Sequence, residues 1–82
     1  MGKRCCRIVF DDSSAYDPAI AAVILECQVP VNIMYADMKR VEDKAMGQMV
    51  IQLPEDDTLA EKVIAYLRNR DLVVEEVYDY VV

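Results

Sequence analysis

Two apolar runs, residues 31–38 (VNIMYADM) and 46–53 (MGQMVIQL), flank a charged stretch, residues 39–44 (KRVEDK). β-Prone runs on either side of polar turn residues predict a hairpin, and Asp43 suits the dihedrals of a reversal. Gly47, just past the turn, predicts a bulge or a close backbone approach. Pro30 cannot donate to a ladder, so it fits the first position of a strand or an edge. Upstream, residues 5–10 (CCRIVF) read as a central strand and 11–16 (DDSSAY) as a turn cluster. Asp17 is placed to cap a helix with Pro18 at its first position, where a missing N–H costs nothing. That helix runs over 19–27, with Ile20, Val23, Ile24 and Cys27 on one face. Its other face carries Ala21, Ala22 and Leu25, so cover on more than one side is expected.

Downstream, Thr58 and Glu61 have the spacing of a capping box at the start of a second helix. Leu59, Val63, Ile64 and Leu67 form its apolar stripe, while Glu61, Lys62, Arg68 and Arg70 are expected to face water. Asn69 and Asp71 mark its end. Residues 73–82 (VVEEVYDYVV) read as a closing strand in which Glu75 and Glu76 send one acid to each face. The order βαββαβ predicts an α+β, ferredoxin-like sandwich: a four-stranded antiparallel sheet with two helices on one face. In the hairpin, Met49, Ile51 and Leu53 share one sheet face and Met46, Gln48, Val50 and Gln52 the other. The first strand sets Cys6, Ile8 and Phe10 against Cys5, Arg7 and Val9. Both faces therefore carry apolar residues, whereas a face meant for water alternates to polar.

Composition sharpens this picture. At 82 residues the chain reads as one domain, residues 1–82, yet 55% of it is hydrophobic. So small a domain buries only about 60% of its unfolded surface, and association is a direct way to cover the surplus. A two-fold homodimer through the sheet or its edges is the expectation. The net charge of −6, from 15 acidic and 9 basic residues, argues against nucleic acid and anionic membranes as partners. No apolar run is long enough for direct membrane insertion, and no signal-peptide core follows Met1. Three cysteines, two of them adjacent, do not make a secreted disulfide framework, so a reducing cytoplasm is expected.

Catalytic chemistry is not written in the chain. It has no histidine, and its two glycines cannot form a phosphate loop. Its carboxylate clusters fall in turns and at a sheet edge, where solvated charge is the ordinary reading. Cys5 and Cys6 lie within a strand rather than on a metal-presenting turn, and read as semi-buried thiols. No metal and no cofactor are expected, and the chain is read as non-enzymatic.

Asn32 is the unusual residue, an amide within a strand of Val, Ile, Met and Tyr. A half-buried amide needs partners or costs on the order of 1–3 kcal/mol, so it either satisfies neighbouring groups or holds a polar ligand. Val31-Asn32-Ile33-Met34 resembles the Asn-Ile-Leu signature of the NIL domain family, with methionine in the last place. The helix opening at Asp17-Pro18, the Gly47 strand and the Val/Glu closing strand extend the resemblance over residues 4–82. NIL domains form the C-terminal regulatory part of the ATPase subunit of methionine ABC importers, and also occur beside ferredoxin-type modules. The resemblance implies methionine, or a related small amino acid, bound between two such domains. Asn32 would then hold the head group, and Ile33 and Met34 the side chain. It implies a transporter ATPase domain as partner if the chain belongs to a longer one, placing it at the cytoplasmic face of the membrane. A purely structural dimerisation module, or a free-standing or ferredoxin-linked NIL domain of sulfur amino-acid metabolism, is the alternative.

Overall fold

β1 (Arg4–Phe10) occupies the inside of the sheet, hydrogen-bonded to a strand on either side. The computed structural model describes residues 4–12, 14 and 17–78. α1 (Ala19–Cys27), β2 (Asn32–Val41), β3 (Lys44–Gln52), α2 (Asp57–Arg68) and β4 (Val73–Tyr78) follow in that order. The sheet runs β2-β3-β1-β4 with every neighbouring pair antiparallel, which is the ferredoxin-like arrangement expected. Residues 79–82 of the expected closing strand lie outside the described residues.

The two faces divide as the alternation requires. Cys6, Ile8 and Phe10 of β1, with Ile51 of β3 and Leu53 just beyond it, join the buried residues of both helices in one core. Cys5, Arg7 and Val9 pair with Gln52, Val50 and Gln48 on the other face, which no helix covers. β4 resolves the ambiguity of its paired acids. Glu75 lies opposite Arg7 on the open face, and Glu76 opposite Cys6 on the helix face. There Arg4 gathers three carboxylates, Asp57 at 3.0 Å and Glu61 and Glu76 at 2.9 Å, tying β1 to α2 and β4.

Local signals at the helix ends read differently in three dimensions. Asp56, not Thr58, caps α2: its Oδ1 accepts from Thr58 N (2.8 Å) and Leu59 N (3.1 Å). Glu61 is not part of a capping box, because Arg4 engages its carboxylate. Asp17 does not cap α1, whose N-terminus carries no side-chain cap. Its carboxylate instead pairs with Arg70, through Nη2 and, at 3.2 Å, through Nε. Arg70 therefore does not simply face water; it lies over the Tyr66 ring and joins the end of α2 to the start of α1. For Asp17 and Glu61 a charge from a distant element outbids the local use.

α1 buries a narrower stripe than its periodicity suggests. Ala19, Val23 and Cys27 are inside, while Ile24 is 43% and Leu25 75% exposed. The expected second cover is not supplied by the described residues. The hairpin is also longer and tighter than its sequence indicates. Lys39, Arg40 and Lys44 belong to strands, and the reversal is confined to Glu42 and Asp43, both left-handed at φ 50° and 70°. Two consecutive left-handed residues match the twist of a two-residue hairpin turn.

The bulge sits in β2, between Ile33 and Tyr35, rather than at Gly47. Gly47 serves the close approach instead. It pairs with Met38, and a Cβ there would come within 2.8 Å of Met38 Cα and nearer still to the Asp37 carbonyl. Backbone cannot yield as a flexible side chain does. Gly47→Ala should therefore destabilise the domain by about 1–3 kcal/mol through overpacking. A thermal melt of the variant matching that of the parent would refute this account of the hairpin.

Candidate functional site

Pro30, Val31 and Asn32 lead into β2 beside Gln52, Leu53 and Pro54, where β3 ends. Together with Glu55 they line a broadly open depression of about 350 Å³. That volume lies at the lower end of the range for small-molecule sites. The two prolines fix the chain where it enters one strand and leaves the other. Leu53 N donates to Arg4 O at 2.8 Å, anchoring the floor to β1.

Asn32 is the first residue of an edge strand and is exposed, not half-buried within a strand. Its side chain thus has no burial penalty to offset. Asn32 Nδ2 donates to Met34 Sδ at 3.3 Å and to Gln52 Oε1 at 3.5 Å, both long contacts. Met34, two residues on, stands at the bulge with its thioether beside the amide. Ile33, opposite Ile51, belongs to the helix side of the sheet and is 50% exposed. Asn32 and Met34 thus come together, and Ile33 stands on the other face.

Gln52 is a member of the site that the sequence reading did not single out. It faces Asn32 directly across the ladder, so two amides stand side by side at the rim of the depression. The alternation Met46, Gln48, Val50, Gln52 contained the signal. Only the register shows which glutamine meets Asn32. An amide pair offers N–H donors to a carboxylate and carbonyl oxygens to an ammonium, the two halves of an amino-acid head group.

The thiols contribute little to such chemistry. Cys5 and Cys6 point to opposite faces and, like Cys27, are free and buried. Burial pushes the Cys6 thiol up to about 12 and raises that of Cys5, keeping both protonated and weakly nucleophilic. Among the described residues, no three Cys, Asp or Glu side chains gather where a metal ion would sit.

A family model for the NIL domain matches residues 4–76. The chain belongs to the NIL domain family. Its relatives include "Methionine import ATP-binding protein MetN 2" of Acinetobacter baylyi, 33% identical over 70 residues. That alignment takes in 85% of this chain and 20% of the relative. A methionine import ATP-binding protein of Desulfitobacterium hafniense is 35% identical over 69 residues, 84% of this chain and 20% of its own length. The NIL domain therefore spans about a fifth of the length of these relatives.

Among solved structures it is similar to the C-terminal domain of an ABC transporter ATP-binding protein from Enterococcus faecalis. The TM-score is 0.76 at 25% identity, over 92% of this chain and 83% of that one. An ACT domain protein from Streptococcus pneumoniae shares the fold alone, at a TM-score of 0.51 and 15% identity over 94% of this chain and 89% of that one. No helix among the described residues is long and apolar enough to cross a membrane.

The burial of the thiols carries a direct test. Native protein should react slowly with a thiol reagent, and unfolded protein should titrate three thiols per chain. A count below three in fresh denatured protein would contradict the free state of all three.

Proposed function

We propose that this NIL domain is a non-catalytic sensor of methionine that regulates a methionine import ATPase on the cytoplasmic side of the membrane. The observation that carries this reading is the exposed Asn32–Gln52 amide pair at the rim of an amino-acid-sized depression, next to the Met34 thioether. The relatives are methionine import proteins, and that supplies the ligand class. In this reading Asn32 Nδ2 donates to the ligand carboxylate. Met34 Sδ and the apolar residues at the mouth of the hairpin receive the thioether side chain, a contact suited to polarisable sulfur.

Regulation follows from where the ligand binds. The site lies between two NIL domains, so methionine favours the arrangement in which the two are brought together. A ligand shifts a conformational equilibrium only as far as its affinities for the two states differ. Methionine must then bind the resting arrangement of the transporter better than the active one. Import falls as its product accumulates.

A thermal-shift screen against the amino acids, followed by isothermal titration, tests the reading. Methionine should raise the melting temperature more than any other amino acid. Hydrogen bonds to charged groups contribute roughly 1.5–3 kcal/mol, so Asn32→Ala should lower methionine affinity about tenfold or more. An exposed side chain removed from a strand end should change stability by less than about 0.5 kcal/mol. Parental affinity in Asn32→Ala would remove Asn32 from the ligand site. The absence of any shift with all amino acids would leave the domain as a structural dimerisation module.

A further inference from the structure

The three consecutive acids that follow Pro54 have three different surroundings. Asp56 is turned to α2, where its Oδ1 accepts from Thr58 N and Leu59 N. Asp57 pairs with Arg4 at 3.0 Å. Glu55 instead lines the depression at Asn32, and it is the one charged residue among those lining it. The others are apolar or carry neutral amides. We propose that Glu55 is the ammonium-binding residue of that depression and makes it choose ligands by their amino group. The site then takes α-amino acids, and derivatives of them whose carboxyl group is blocked, and refuses acids that lack the amino group. This rests on the amino-acid reading of the depression given above and adds the group that sets its selectivity.

Placement supports the role. β3 ends at Gln52, and Pro54 restricts the backbone immediately before Glu55, so the acid leaves the strand in a limited range of directions. Gln52 and Glu55 are three residues apart, at most about 10 Å of extended chain. A head group with a hydrogen bond of about 2.9 Å at each end fits within such a span. The Asn32–Gln52 amides, in contact at 3.5 Å, meet the carboxylate, and Glu55 meets the ammonium.

Charge decides the preference. A carboxylate entering the depression finds neutral amide donors and one negative charge. An ammonium finds amide carbonyls and the same negative charge, and gains a charge-assisted hydrogen bond. The base tied to the floor does not reverse this. Arg4 O holds Leu53 N, but the guanidinium is committed to Asp57, Glu61 and Glu76, three carboxylates against one positive charge. Lys39 shares a strand with Asn32 but lies roughly 23 Å further along it. Selectivity of this kind has a repulsive part as well as an attractive one. An acid without the amino group forfeits the bond to Glu55 and brings its own charge against it. Blocking the carboxyl group loses contact with the amides but also removes that repulsion, so the two effects offset.

The test is isothermal titration of the chain with L-methionine, L-methioninamide and 4-(methylthio)butanoate. The three share one thioether side chain and carry both head-group charges, the ammonium alone and the carboxylate alone. The parent should bind methioninamide within about tenfold of methionine, and the butanoate at least about tenfold more weakly than either. Glu55→Gln keeps the size of the side chain and removes its charge. It should weaken methionine and methioninamide about tenfold and leave the butanoate unchanged or tighter, so that the preference for the amino group collapses. Glu55→Asp should restore part of that preference. Glu55 is exposed, and both variants should melt like the parent. A Glu55→Gln protein that keeps the parent's preference overturns the role of Glu55 while methionine binding stands. So does a parent that binds the butanoate as tightly as methioninamide. A parent that binds none of the three overturns the amino-acid reading itself, and this inference with it.

Discussion

α1 has nine residues and rises about 13 Å along its axis, whereas β2 has ten and extends about 33 Å. A helix this short cannot cover a hairpin this long. Burial along the helix face of β3 records the mismatch: Ile51, and Leu53 just beyond its end, are inside, while Met49 and Ala45 toward the turn are only half-buried. The distal hairpin projects beyond the helical layer and keeps Met38 and Val41 exposed as well. Of the large apolar residues exposed among the described residues, Ile33, Met38, Val41 and Met46 lie on this one projecting element, the same one that carries the NIL signature.

Holding that element rigid falls to contacts at its base. β1 anchors β3 over six consecutive paired positions, and Arg4 at its start draws in carboxylates from α2 and β4. Glu76 is the first of these to hold the guanidinium charge in place, and the pair is part-buried, where water screens it less than at a surface. Asp12, in the segment after β1, accepts from Ala45 N at 3.1 Å and ties that segment to the start of β3. Gly47 closes the gap between the hairpin strands at the point where a side chain would force them apart. Asn32 and Gln52 then stand at a fixed separation, as an amide pair needs if it is to meet a ligand without reorganising.

The distribution of charge fits the same division. Acids dominate the chain, and Arg4, Arg7 and Arg70 are each engaged by acids of other elements. Lys39, at the hairpin, has only the weak 3.9 Å contact with Asp37 beside it. Such an exposed pair contributes little to folding by itself.

The sequence by itself determined the element order, the two faces of the sheet and the resemblance that led to Asn32. Period-two alternation fixes which residues share a face once a strand exists, so Cys6, Ile8 and Phe10 could be separated from Cys5, Arg7 and Val9 at once. Long-range choices were not legible. Asp17 and Glu61 each have a correct local use as caps, and each is taken by an arginine 53 or 57 residues away. The narrow buried stripe of α1 depends on where the helix lies over the sheet, which periodicity cannot say. Register decided the candidate site. Either glutamine of β3 was available to Asn32, and only the ladder, shifted by a bulge that no residue of β2 announces, set Gln52 opposite it. Sequence pattern encodes the faces, because side-chain direction is local; pairing across strands is a property of the assembled sheet.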